Sequence, residues 1–155
     1  MENLLLTKID YQVTKTASGT WKRFLYTSGQ GYAEFVSDAR IGSLPLLHII
    51  YGRSPETGKI PTAKGIVAIG RKAYGVIAIG QGAVGVLALG QAAFGIIAVG
   101  QLAVGALFGL GQAATGVVAF GQFAAGIFSV GQFAIGAWSY GQFYVGQNLL
   151  DLWRR

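Results

Sequence analysis

From residue 61 the chain repeats one ten-residue phrase, Q-x-A-x-G-x-x-A-x-G, eight times and begins a ninth. The units are "PTAKGIVAIG", "RKAYGVIAIG", "QGAVGVLALG", "QAAFGIIAVG", "QLAVGALFGLG", "QAATGVVAFG", "QFAAGIFSVG", "QFAIGAWSYG" and the partial "QFYVG". Slots 3 and 8 hold Ala almost throughout, slots 5 and 10 hold Gly, and the slots between them hold aliphatic or aromatic residues. One unit, 101 to 111, has an extra residue, which reads as a bulge around Phe108. Tyr144 replaces Ala in the last unit, an atypical terminal repeat of the kind a stacked array requires.

A period of ten with small residues every five fits neither 3.6 nor 3.5 residues per helical turn, so on a helix the small residues would spiral and form no packing seam. Nineteen Gly lie between 65 and 146, and a helix would bear on the order of 19 kcal/mol relative to Ala. From 73 to 146 no Pro, Asn or charge punctuates the chain into separate spans. A β reading accounts for both features: Gly at slots 5 and 10 allows two tight corners per turn, and Ala between bulky residues gives inside and outside alternation. The expected fold is all-β, a narrow β-solenoid of ten-residue coils with an N-terminal β-hairpin cap. A twenty-residue, four-sided coil like that of pentapeptide-repeat proteins is a lesser alternative.

Two strands per coil with only Ala, Ser and Gly between them make a thin interior. Bulky residues at slots 2, 4, 7 and 9 then point outward, and the apolar outer face is expected at Leu87, Leu89, Ile97, Val99, Phe123, Phe128, Phe133 and Trp138. Gln81, Gln91, Gln101, Gln112, Gln122, Gln132 and Gln142 fall at one corner, where stacked amides are expected to hydrogen-bond in a column and fix the register. A polar seam toward a partner is the functional alternative for this column.

The slot pattern resembles the ten-residue coil of midge antifreeze proteins, with Ala where that family has bridging cysteines. The stretch "PLLHIIYGRSPETGKIPTAKGIVAIG" and the repeats after it resemble bacterial Gly/Ala-rich decapeptide-repeat proteins that are predicted membrane proteins. The resemblance implies architecture and carries no activity.

Residues 1 to 60 read as a separate β cap domain, 61 to 146 as the solenoid and 147 to 155 as an amphipathic, basic tail. "WKRFLYTSGQGYAEFVSD" reads as a hairpin around Ser-Gly-Gln-Gly, with Trp21, Arg23 and Leu25 on one side. "HIIYGRSPETGKIP" reads as a second hairpin with Pro55 and Gly58 in its turn. These strands are expected to cover the first edge of the solenoid.

Charge distribution bears on the partner. The chain is 52% hydrophobic and 12% charged, against about 25% charged in an ordinary soluble domain. Residues 73 to 150 contain no formal charge at all. Basic residues gather at the two ends of that body, whereas a nucleic-acid binder sets them along one face, so no nucleic acid is expected. Lys72, Tyr140, Tyr144, Trp153, Arg154 and Arg155 fall where an interfacial belt would lie. The start, "MENLLLTKID", has too short an apolar run for a cleaved signal peptide.

Chemistry is sparse. There is no Cys, and one His, His48, sits between Leu47 and Ile49 as a structural residue would. No Gly-x-x-x-x-Gly match continues as Gly-Lys-Ser/Thr. No enzyme activity, cofactor or metal is expected. The expected role is that of a structural protein in a membrane or membrane complex, with lipid bilayer or membrane-protein subunits, including further copies of itself, against its apolar faces. A soluble self-assembling filament, bactofilin-like, is the alternative, and ice binding a minor one, since slots 2 and 4 lack a regular Thr face.

Overall fold

The computed structural model describes residues 9–148, of which 81% are strand and none is helical. Strands β1 (Gln12–Thr16), β2 (Gly19–Leu25), β3 (Gly31–Ser37), β6 (Leu47–Tyr51), β7 (Thr62–Ile69) and β8 (Lys72–Asn148) make one sheet in the order β1-β2-β3-β6-β7-β8. Strands β4 (Arg40–Ile41) and β5 (Leu44–Pro45) make a small separate hairpin.

β2 and β3 form the antiparallel hairpin expected from the sequence, with Trp21 opposite Phe35 and Arg23 opposite Ala33. The Arg23 guanidinium sits 4.9 Å from the Trp21 ring centre. β1, not anticipated, adds to the outer edge of β2. The second expected hairpin is not one. Ser54 to Lys59 do form a tight turn, closed by Gly58 N–H to the Ser54 carbonyl at 2.8 Å and Ser54 N–H to the Lys59 carbonyl at 2.8 Å. The strands it joins nonetheless run parallel, Leu47 against Val67 and Ile49 against Ile69. The turn reverses the chain only locally, and the following residues travel on before β7 returns beside β6.

Parallel pairing then continues with a ten-residue offset, Ala63 against Ala73 and Ala68 against Ala78. The offset recurs along β8. A methyl group added at Gly90 would meet the carbonyl of Gly80, one at Gly100 that of Gly90, and so on to Gly146 over Gly136. Gly111 lies over Gly100 instead, so the extra residue is absorbed within that unit. The disturbance lies between Gly105 and Gly109, where a methyl on Gly105 would strike the Phe108 carbonyl, in agreement with the expected bulge.

These contacts revise the role of the corner glycines. Among the described residues only Gly29, Gly42, Gly52, Gly58 and Gly146 have positive φ, so the repeat glycines before Gly146 do not serve a left-handed conformation. At slots 5 and 10 from Gly75 to Gly141, Gly105 and Gly116 apart, they serve close approach: a Cβ there would overlap the carbonyl of the glycine one unit before.

The buried side chains of the repeats are small. Ala63, Ala68, Ala78, Ala83, Ala88, Ala93, Ala98 and Ala103 are wholly inaccessible, as are Ser129 and Ser139. Tyr32 and Ile50 join the same cluster, so the cap and the repeats share one core. His48 pairs with Ala68 and so precedes the slot 8 alanines in the same column. Its Nδ1 accepts the Lys64 N–H at 2.9 Å, which leaves Nε2 as the donor to Glu34 Oε1 at 3.1 Å.

Candidate functional site

Around this alanine interior the outer side chains recur every ten residues, and their alignment can be read from contacts. Phe123, Phe133 and Phe143, all in slot 2, stack with ring centres 5.1 and 5.2 Å apart and planes within 7° and 13°. Gln81, Gln91, Gln101, Gln112 and Gln122 together line one shallow cavity of about 510 Å³. Tyr74, Val84 and Phe94 of slot 4 line another of about 590 Å³ with Val76, Val86 and Ile96 of slot 6.

None of the expected outer-face residues is buried. Ile97, Phe123, Phe128 and Phe133 are exposed, and Leu87, Leu89, Val99 and Trp138 are half-buried. Slot 6 was missed as an outward position, yet Val76, Val86, Ile96 and Ile127 are among the exposed hydrophobic residues. The signal lay in the pattern: slot 6 follows a corner glycine just as the Gln of slot 1 does. The amides of slot 1 and the aliphatic side chains of slot 6 thus line different cavities.

The glutamine column differs from expectation in its bonding. All seven side chains are exposed. Among the described residues the column's side-chain hydrogen bond is from Arg71 Nε to Gln81 Oε1, 3.1 Å; an amide-to-amide ladder is not formed. Solvated amides at an outer corner gain little by bonding to each other, because water offers the same bonds. Register is carried by the backbone and the buried alanines.

Of the expected interfacial residues, Lys72, Tyr140 and Tyr144 are exposed, and the Tyr144 hydroxyl accepts a hydrogen bond from Asn148 Nδ2 at 3.3 Å. Trp153, Arg154 and Arg155 lie outside the described residues.

The titratable groups gather in the cap. Glu34 accepts from His48 Nε2 at 3.1 Å and from the Tyr32 hydroxyl at 2.9 Å. The His48 hydrogen bond, with help from Tyr32 and Lys22, holds its carboxyl below the usual glutamate range despite burial. Burial and the bond to Glu34 push the Tyr32 phenol up. Tyr11 donates to Glu56 Oε1 at 3.0 Å and is pushed up to about 12, first by desolvation and then by that bond. Among the described residues no group of three or more His, Cys, Asp or Glu side chains is placed to hold a metal ion.

No helix among the described residues is long and apolar enough to cross a membrane. Compared with protein families, curated proteins and solved structures, the chain matches none.

Proposed function

We propose that residues 61 to 146 form a flattened β-solenoid of ten-residue coils, and that the protein is a non-catalytic structural component of a membrane, its apolar outer faces in contact with lipid or with membrane-protein subunits. The observation that carries the reading is the exposure of large apolar side chains along the whole uncharged body, from Tyr74 at 58% to Ile135 at 59% and Val145 at 68%. Soluble monomers rarely expose contiguous apolar patches beyond a few hundred Å². Such a surface needs a cover.

The length of the body favours lipid as that cover. Just over seven coils lie between Lys72 and Gly146, and at about 4.8 Å per coil they span about 35 Å. A bilayer has a hydrocarbon core of about 30 Å and measures about 40 to 45 Å with its headgroups. Spanning structures must satisfy every backbone polar group internally. A solenoid with its axis across the bilayer does so from coil to coil and leaves unpaired edges only at its two ends. Within the body the glutamine column is the polar strip. Amides are costly in hydrocarbon, so this is the edge a second subunit would cover.

The test is fractionation of expressing cells, with the membrane pellet washed in carbonate and then in mild detergent. Release by detergent alone is the expected result. Recovery in the soluble fraction would contradict it, and filaments in negative stain of that fraction would place the same apolar faces in self-assembly instead.

A further inference from the structure

Slot 1 is Pro61 in the first unit and Arg71 in the second, and each later unit has Gln. Arg71 is also the only slot 1 residue to line the cleft of about 550 Å³ between the β2–β3 turn and the end of β6, together with Tyr26, Gly31, Tyr51 and Arg53. Two arginines thus line one cleft whose lining contains no carboxylate. Each is held by a single neutral hydrogen bond, Arg71 through Nε to Gln81 Oε1 at 3.1 Å and Arg53 through Nη1 to the Gly58 carbonyl at 3.3 Å. Among the described residues the ion pair formed is that of Glu34 with His48, and Glu56 is engaged by Tyr11. Among the described residues no carboxylate forms an ion pair with either arginine.

We propose that this cleft binds a phosphate-type oxyanion, clamped between the Arg53 and Arg71 guanidiniums and hydrogen-bonded by the Tyr51 hydroxyl. Planar guanidinium forks match the oxygens of a phosphate group, and two like charges confined together gain most from a shared dianion. The source of the phosphate is either a lipid headgroup or a free phosphate compound, since the cleft lies beside the first unit of the uncharged body.

The site lies outside the apolar body and does not depend on the membrane reading. The full-length protein, in non-ionic detergent or in plain buffer if it is soluble without one, is titrated calorimetrically with inorganic phosphate at ionic strength fixed by chloride. Saturable binding is expected. Arg71→Gln restores the repeat's own residue and so keeps the fold, and it should weaken binding by at least about tenfold. Arg53→Gln removes the other guanidinium and should weaken binding likewise. Competition with vesicles of phosphatidylcholine, with and without phosphatidic acid, identifies the source. Displacement of phosphate by the acidic vesicles alone assigns a lipid headgroup; binding unaffected by either assigns a free phosphate ligand. Phosphate that binds no better than chloride, or Arg71→Gln that binds like the parent protein, would overturn the proposal.

Discussion

The hydroxyls of Ser129 and Ser139, one repeat apart, lie 2.9 Å from each other in the fully buried interior. Ser139 directs its own proton at the Gly136 and Val145 carbonyls, at 3.3 and 3.2 Å. Ser129 is therefore the donor between the two hydroxyls. Both stand in slot 8, which holds Ala in most units.

An asymmetry in mutational cost follows. Ser129→Ala removes a donor and restores the residue typical of the slot, so it should be nearly neutral. Ser139→Ala strands the buried Ser129 hydroxyl and should cost about 1 to 3 kcal/mol. The double Ala variant should recover most of that loss, since no polar group is then left unpaired. Chemical denaturation of the three variants in one detergent checks the order.

The glycine contacts predict a second contrast. Gly90→Ala forces a methyl group against the Gly80 carbonyl and should destabilise by about 1 to 3 kcal/mol, as overpacking does. At Gly82 the nearest atom to an added Cβ is the Arg71 carbonyl oxygen at 3.9 Å, and φ is not positive. Gly82→Ala should then stabilise by about 0.4 to 1 kcal/mol through the unfolded chain. Paired thermal melts decide it.

Acid stability should depend on Glu34. Its folded-state pKa lies below the ordinary glutamate value of about 4.3, so its contribution is fully present above that value. It is lost as pH falls through the lower folded-state pKa, because the unfolded chain takes up the proton first. Melting temperature measured from neutral pH down into the acid range should fall for the parent protein. The fall should be shallower for Glu34→Gln.

The phenyl column predicts a local coupling. Phe133 stacks on both Phe123 and Phe143, and each such pair contributes about 0.5 to 1.5 kcal/mol beyond its buried area. Phe133→Leu should lose both stacks, whereas Phe123→Leu loses one. A double-mutant cycle on Phe123 and Phe133 should give a coupling within that range.

Much of the architecture was legible because its causes are local and periodic. Ala63 and Ala68 sit inside since only a methyl fits there, and the same reason recurs every ten residues. What was not legible depends on contacts between distant residues. The turn at Pro55 and Gly58 has the chemistry of a hairpin, and only pairing of Leu47 with Val67 makes its strands parallel. The glycines at 80 and 90 were read as corner residues chosen for their torsional freedom, whereas the carbonyl of the preceding unit is what excludes a side chain. Val86 of slot 6 is as apolar as Leu87 and Leu89 of slots 7 and 9, and exposure is not visible in residue type. The Arg53 and Arg71 cleft joins residues whose proximity no spacing announces.

The most direct test of the central claim is fluorescence quenching of Trp138, half-buried on the proposed lipid-facing surface. A Trp21→Phe, Trp153→Phe variant leaves Trp138 as the one tryptophan of the chain, and it is reconstituted into bilayers whose acyl chains carry bromine at defined depths. Strong quenching by the acyl-chain bromines is the predicted result, because the apolar faces then touch lipid. Emission unchanged by brominated lipid, with the protein recovered outside the bilayer, would contradict the account.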